Sequence, residues 1–181
     1  MLAAAAHLFA ERPGTKVTME EIALAAGVGK GTLYRRYPNV ASIAVALLDE
    51  HERRLQEELV RGKPPLGPGA APAARLAAFY TAMTELLERH GHLALAAETG
   101  ARRYDTGAYR AWATHVALLL DEAGLGDQSA LVDVLLAPLA PDVYAHQRTR
   151  LTRQQIADGL AILARRILQP AGGQSPGAEA S

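Results

Sequence analysis

The stretch "AAGVGKGTLYRRY", residues 25–37, decides how this chain is read. Gly27, Gly29 and Gly31 fall at every second position around Lys30, and Thr32 follows. Such a run is either a loop that cradles a nucleotide's phosphates or a turn between two short helices. A P-loop requires G-x-x-x-x-G-K-[ST], so that the hydroxyl directly after the lysine reaches magnesium. Here Gly31 follows Lys30, and Thr32 comes one position late. A dinucleotide fingerprint requires G-x-G-x-x-G after a strand. The spacing here is G-x-G-x-G, and a helix-forming segment precedes it. Both nucleotide readings fail on spacing and on context.

The flanks support the turn. Thr18-x-x-Glu21 is a capping box, which predicts a helix over 19–26. Gly27 is suited to end it, because glycine adopts the left-handed conformation at little cost. A second helix is expected over 30–37, stopped by Pro38, and Leu2, Ala5, Ala6, Leu8 and Phe9 predict an earlier one that starts at the first residue and ends at Pro13-Gly14. Two short helices joined by Gly27-Val28-Gly29 make a helix-turn-helix. Ala23 is small where the helices cross, and Ile22, Val28 and Leu33 are apolar where a three-helix core needs them. With Leu33 turned inward, Lys30, Thr32, Tyr34, Arg35 and Arg36 face outward or flank a groove. Arg and Lys pair with guanine edges or phosphates, and Thr and Tyr hydroxyls bond phosphate. Backbone N–H groups near Gly31 can do the same.

Composition narrows the rest. Of 181 residues, 49 % are hydrophobic but only 5 % aromatic, and Ala and Leu dominate, which favours an all-α chain. The 19 basic and 19 acidic residues cancel, so net charge points to no partner. The absence of cysteine excludes disulfides and thiolate chemistry and suits a reducing cytoplasm. The N-terminal segment reads as an amphipathic helix rather than a signal peptide, and no segment approaches a membrane span. With no cysteine and no H-E-x-x-H, no catalytic motif stands out, and the chain is expected not to be an enzyme.

A fourth helix over 39–61 carries Ile43, Leu47, Leu55 and Leu59 on one stripe, and "GKPPLGPGAAP", residues 62–72, reads as a flexible connection. Beyond it, one helical pattern carries Leu76, Phe79, Tyr80, Met83 and Leu87, and a separate short apolar piece spans 92–100. Another carries Tyr109, Trp112, Val116, Leu119 and Leu120, and one with Leu131, Val134 and Leu135 precedes a break at Pro138 and Pro141. The last helix opens on a second capping box, Thr152-x-x-Gln155. The tail from Gln169 has a disordered composition. The expected organisation is a helix-turn-helix domain over 1–45, a helical bundle over 46–168 and a tail over 169–181.

Helical bundles often enclose an apolar cavity with a few polar groups. Tyr80, Met83, His92, Glu98, Trp112 and His115 form the mixture expected of such a pocket, although the same residues also suit a plain core. His90 and His92 with Glu98 are residue types that bind metals, but a His-x-His pair on a helix points its rings to different faces, so no metal is expected. For pairing two copies, Leu131, Val134, Leu135, Ile156, Leu160, Leu163 and Ile167 are the candidates, with the small Ala157, Gly159 and Ala164 beside them. Packing within their own chain would explain the same stripe.

Residues 2–48, "LAAAAHLFAERPGTKVTMEEIALAAGVGKGTLYRRYPNVASIAVALL", resemble the N-terminal DNA-binding domain of the TetR family of bacterial transcriptional regulators. The resemblance rests on Leu8-Phe9, Thr18, Ile22-Ala23, Ala26-Gly27-Val28, the run from Gly31 to Tyr34, and Tyr37. It implies a homodimer that binds a palindromic double-stranded DNA operator and usually represses. It also implies a C-terminal helical domain that holds an unknown small-molecule effector and alters the separation of the two recognition helices. The residues assigned to DNA are Thr18, Lys30, Gly31, Thr32, Tyr34, Arg35, Arg36 and Tyr37. No cofactor and no membrane partner are implied. Two positions depart from the pattern: Val40 stands where the family usually has a basic residue, and Gly29 where it usually has a capping hydroxyl. The competing reading is a helical small-molecule-binding or adaptor protein with weak or no DNA binding.

Overall fold

The structure, a computed structural model, describes residues 1–12, 17–96, 106–126 and 128–169. Among these the regular elements are all helical. They are α1 (Leu2–Glu11), α2 (Met19–Ala25), α3 (Lys30–Arg36), α4 (Val40–Arg61), α5 (Pro72–Ala96), α6 (Gly107–Glu122), α7 (Ser129–Leu136), α8 (Pro141–Arg148) and α9 (Arg153–Leu168), with a 3-10 turn over Ala137–Leu139.

Local chemistry accounts for most of the helix ends. Both expected capping boxes form, Thr18 with Glu21 and Thr152 with Gln155. A third opens α4, where Asn39 Oδ1 accepts from the Ser42 N–H at 2.8 Å. Pro141 does not merely break the chain. It occupies the first turn of α8, where its missing N–H would have had no helical partner and its fixed φ is already helical.

Two segments differ from the sequence expectation. The apolar piece from His92 is not separate, because α5 continues through His90-Gly91-His92 to Ala96. Gly91 costs a helix only about 1 kcal/mol, and the burial of Leu93 beyond it holds the helix together. Residues 97–100 of that piece lie outside the described residues. The connection 62–71 is a packed turn rather than a loose tether. Gly62 N–H donates to Glu58 O at 2.8 Å, Gly67 N–H donates to Lys63 O at 3.0 Å, and Leu66 packs against the core. A Cβ on Gly67 would overlap the Gly62 carbonyl, so the tightness of this turn requires glycine.

Burial divides the apolar residues into two clusters. The first joins α1, α2, α3 and the start of α4 around Ala5, Ile22, Leu33 and Ala44, all fully buried. The second is built on α5, with Leu76, Phe79 and Tyr80 inaccessible to solvent and α9 laid along the same helix through Ile156, Leu160, Ala164 and Leu168. Neither α4 nor α5 respects the division. Leu47 belongs to the first cluster and Leu55 to the second, while Leu87 belongs to the second and Leu93 to the first. These two helices are the mechanical link between the clusters.

Polar ties fix the second cluster. Tyr80 Oη donates to Leu135 O at 3.0 Å. Arg75 Nη1 donates to both Glu122 carboxylate oxygens, at 3.0 and 2.9 Å. Glu88 accepts from Tyr144 Oη at 2.6 Å and from Arg148 Nε at 2.7 Å, joining α5 to α8. Those donors, Arg148 first, hold the Glu88 carboxyl down to about 2.

Candidate functional site

The junction of α2 and α3 is set by a Schellman motif. Val28 N–H donates to Ala23 O at 3.0 Å and Gly27 N–H to Leu24 O at 3.1 Å, with Gly27 at φ 62°. This closes α2 and turns the chain sharply into α3, as glycine at that position allows. Gly29 caps α3 with no side-chain hydrogen bond. Leu33, fully buried, pins α3 to the three-helix core. The rest of the helix, Lys30, Gly31, Thr32, Tyr34, Arg35 and Arg36, is exposed.

That outward face combines cations with hydroxyls. Lys30 Nζ lies 3.3 Å from Glu20 Oε1. The pair is solvent-exposed and therefore worth little, so a stronger anion can displace it. Among the described residues no carboxylate pairs with Arg35 or Arg36, and the Arg36 guanidinium lies 5.7 Å from the Tyr37 ring centroid. Tyr37 itself is buried in the first cluster, so its ring supports the helix. The Thr18 hydroxyl donates to Glu21 Oε2 at 2.9 Å and accepts from the Glu21 N–H at 3.2 Å, which commits it to the capping box. Its own backbone N–H and Arg12 also donate to Glu21, and together these hold that carboxyl down to about 2.

Gly31 stands out on this face. A Cβ there would meet nothing within 4 Å, and its φ is not in the left-handed region. Among the described residues nothing therefore requires glycine at a helical position where it costs about 1 kcal/mol relative to alanine.

The second candidate is a cavity of about 700 Å³ walled by α4, α5, α6, α7 and the start of α8. Leu48, Met83, Leu86, Leu87, Trp112 and Leu136 make it apolar, and Asp49, Glu52, His90, Tyr109 and Asp133 bring polar groups to it. Burial, and then the neighbouring Asp49, push the Glu52 carboxyl up to about 7. Burial also raises Asp49. His90 is pushed down to about 4, by burial first and then by His51, against which it stacks. Tyr109 Oη donates to Asp133 Oδ1 at 2.8 Å.

Of the described residues expected in a pocket, the structure brings only Met83 and Trp112 to this cavity. Tyr80 is spent on the Leu135 carbonyl, and burial raises its phenol. His92 turns toward the first cluster, 6.2 Å from the Phe9 ring. It diverges from His90, as the His-x-His spacing implied. His115 is buried 5.4 Å from the Phe79 ring with Nε2 unpartnered, and its imidazole is pushed down to about 4 by burial and then by Arg75. Glu98 lies outside the described residues. Of the polar residues that do line the cavity, His90 stood out in the sequence only beside His92 and Tyr109 only on an apolar stripe, while Asp49, Glu52 and Asp133 did not stand out. Asp49 and Glu52 sit in a helix with Glu50, Glu57 and Glu58, and nothing local distinguishes an inward carboxylate from an outward one.

The candidate pairing residues divide. Leu135, Ile156 and Leu160 are buried in their own chain's core, which explains their spacing without a partner. Leu131, Leu163 and Ile167 are partly buried against that core, and Val134 is 60 % exposed. Ile162 on α9 and Leu118 on α6 are further exposed apolar side chains. No helix among the described residues is long and apolar enough to cross a membrane.

Against this geometry, residues 1–47 match the model of the bacterial regulatory proteins, tetR family. Solved structures share the fold over nearly the whole chain. A TetR transcriptional regulator from Rhodococcus sp. RHA1 superposes with a TM-score of 0.63 at 20 % identity, covering 94 % of each chain. A second TetR-like regulator from that organism gives 0.62 at 21 %, over 91 % of each chain. The reduced form of E. coli NemR gives 0.63 at 18 %, over 95 % of this chain and 97 % of its own. Comparison with curated proteins returns no match. The chain thus carries the N-terminal domain of the tetR family on the fold of TetR-like transcriptional regulators.

Proposed function

We propose that this TetR-family chain is a ligand-responsive repressor that binds a palindromic double-stranded DNA operator as a homodimer in the cytoplasm. The observation that carries the reading is the outward face of α3. One buried anchor, Leu33, leaves Thr32, Tyr34, Arg35 and Arg36 displayed together. A recognition helix of this kind enters the major groove, where arginine reads guanine or clasps phosphate and hydroxyls fix the register. Lys30 exchanges the weak Glu20 pair for phosphate. The overall charge of zero means that this local face, not a global field, attracts DNA.

Two half-sites one helical turn apart, about 34–36 Å, require two copies of α3 held by a two-fold pairing. Val134 together with the exposed α9 stripe of Gly159 and Ile162, flanked by Leu163 and Ile167, is the surface we assign to it. The effector occupies the cavity between α4, α5, α6 and α7. Because α4 and α5 each belong to both apolar clusters, a ligand that moves either helix moves the platform on which α3 sits.

The test is selection of bound fragments from genomic DNA, followed by gel shifts over a salt series. A regulator yields a palindromic consensus and an affinity that falls steeply as salt rises, since each phosphate neutralised contributes about 0.9 to the log–log slope. An adaptor that does not bind DNA yields neither.

A further inference from the structure

Resting on the reading of the cavity as the effector site, we infer that the cavity takes an amphipathic organic cation, a lipophilic amine or quaternary ammonium, held by Glu52 with Asp49 beside it. The volume of about 700 Å³ falls in the range of drug-sized ligand sites, and the walls are largely apolar. Beside the neutral hydroxyls and imidazole, the formally charged side chains they carry are of one sign. Asp49, Glu52 and Asp133 are carboxylates, and no lysine or arginine is among the lining residues described.

The arginines nearest in sequence are engaged away from the cavity. Arg53 Nη1 lies 2.7 Å from Glu57 Oε1, Arg53 Nη2 lies 2.9 Å from Glu50, and Arg54 lies 3.0 Å from Glu50. Among the described residues, no cation lies within salt-bridge distance of Glu52. An anionic ligand would add like charge to an apolar space, whereas a cation supplies the missing countercharge.

The remaining groups fit the same ligand. His90, held at about 4, is neutral near pH 7 and brings no competing positive charge. Asp133 accepts from the Tyr109 hydroxyl. The faces of Tyr109 and Trp112 can take an alkylammonium by cation–π attraction. Glu52 titrates near 7 in the empty protein, so a bound cation drives its proton off, and affinity rises as the pH rises through that value.

Three probes with chains of ten carbons, the carboxylate carbon included, separate charge from hydrophobicity: decyltrimethylammonium, decanol and decanoate, each below its micelle concentration. Trp112 is the only tryptophan and lines the cavity, so its fluorescence reports binding in the full chain. At pH 8 the cation is expected to bind at least about tenfold more tightly than decanol, with decanoate weakest. That ratio should fall below about threefold in Glu52→Gln, and in Asp49→Asn as a second variant should the first fail to fold. Between pH 8 and pH 6 cation affinity should drop in the wild type and stay flat in Glu52→Gln.

Decanol equal to the cation, or decanoate tighter than either, overturns the charge assignment while leaving the cavity as a ligand site. If none of the three perturbs Trp112, the ligand site itself falls. Gel shifts with the selected operator then judge DNA binding separately.

Discussion

The imidazoles of His51 on α4 and His90 on α5 stack with ring centroids 3.6 Å apart and planes 12° from parallel. Their position gives the contact its meaning. His51 lies four residues from Leu47 of the first apolar cluster and four from Leu55 of the second. His90 lies three residues from Leu87 of the second and three from Leu93 of the first. The stack thus clamps the two shared helices where the clusters meet, and His90 also faces the cavity.

The clamp should transmit ligand binding. Allosteric coupling is typically worth about 1–3 kcal/mol. In His90→Ala we expect operator affinity without ligand to change little, and the effect of a cavity ligand on that affinity to fall below about threefold. Gel-shift midpoints with and without decyltrimethylammonium measure it. An undiminished ligand effect would show that the stack is not the link.

The α3 face should account for DNA affinity. Arg36→Ala and Tyr34→Ala are expected to weaken operator binding by about 1–3 kcal/mol if they meet bases, with helical content unchanged by circular dichroism. If either residue meets phosphate instead, the loss will be uniform across sequences and the salt slope will drop by about 1.

Gly31→Ala should separate folding from function. The added Cβ meets nothing within 4 Å among the described residues, and alanine is favoured over glycine in a helix by about 1 kcal/mol. Thermal unfolding should therefore show a gain in stability. If the position is kept slim for close approach to DNA, the same variant loses operator affinity. A gain in both would remove Gly31 from the interface.

Glu52 should make stability depend on pH in a particular direction. Its carboxyl stands near 7 in the folded chain against 4.5 as the ordinary value, so the fold favours the protonated form. Its contribution is fully present below about 4.5 and is lost as pH rises through about 7. At about 1.4 kcal/mol per pH unit, that interval sets an upper limit of about 3 kcal/mol. Glu52→Gln should raise Tm at pH 8 and leave it unchanged at pH 4.

His115 should act in the opposite direction. Its imidazole is held near 4 against an ordinary 6.5, so the unfolded chain takes up the proton first as the pH falls between those values. Stability is thereby lost on acidification from about 6.5 toward 4. His115→Leu, which also removes the unpartnered Nε2, should flatten that part of the Tm–pH profile.

What the sequence by itself determined is what local chemistry controls. The helix-turn-helix was legible because its signals act over three to five residues. The Thr18–Glu21 box, the Gly27 turn and Leu33 between outward cations each state their role without a distant partner. Proline was legible only in part, since Pro141 reads alike as a break and as the first turn of α8. The continuity of α5 depended on Leu93, whose burial is supplied by helices far away in sequence.

Only the tertiary structure decided the cavity. Its walls come from residues 45 to 143, drawn from helices whose apolar stripes look alike one by one. Sequence could place Met83 and Trp112 on an inward face, but it could not tell Tyr80 or His115, sealed in the core, from residues that open on space. It gave no means of separating Glu52, turned into that space, from Glu50, which pairs with arginines at the surface. The physical reason is that a cap or a turn is satisfied by neighbours along the chain. The surroundings of a carboxylate are fixed by what packs across from it, and that is known only once the helices have met.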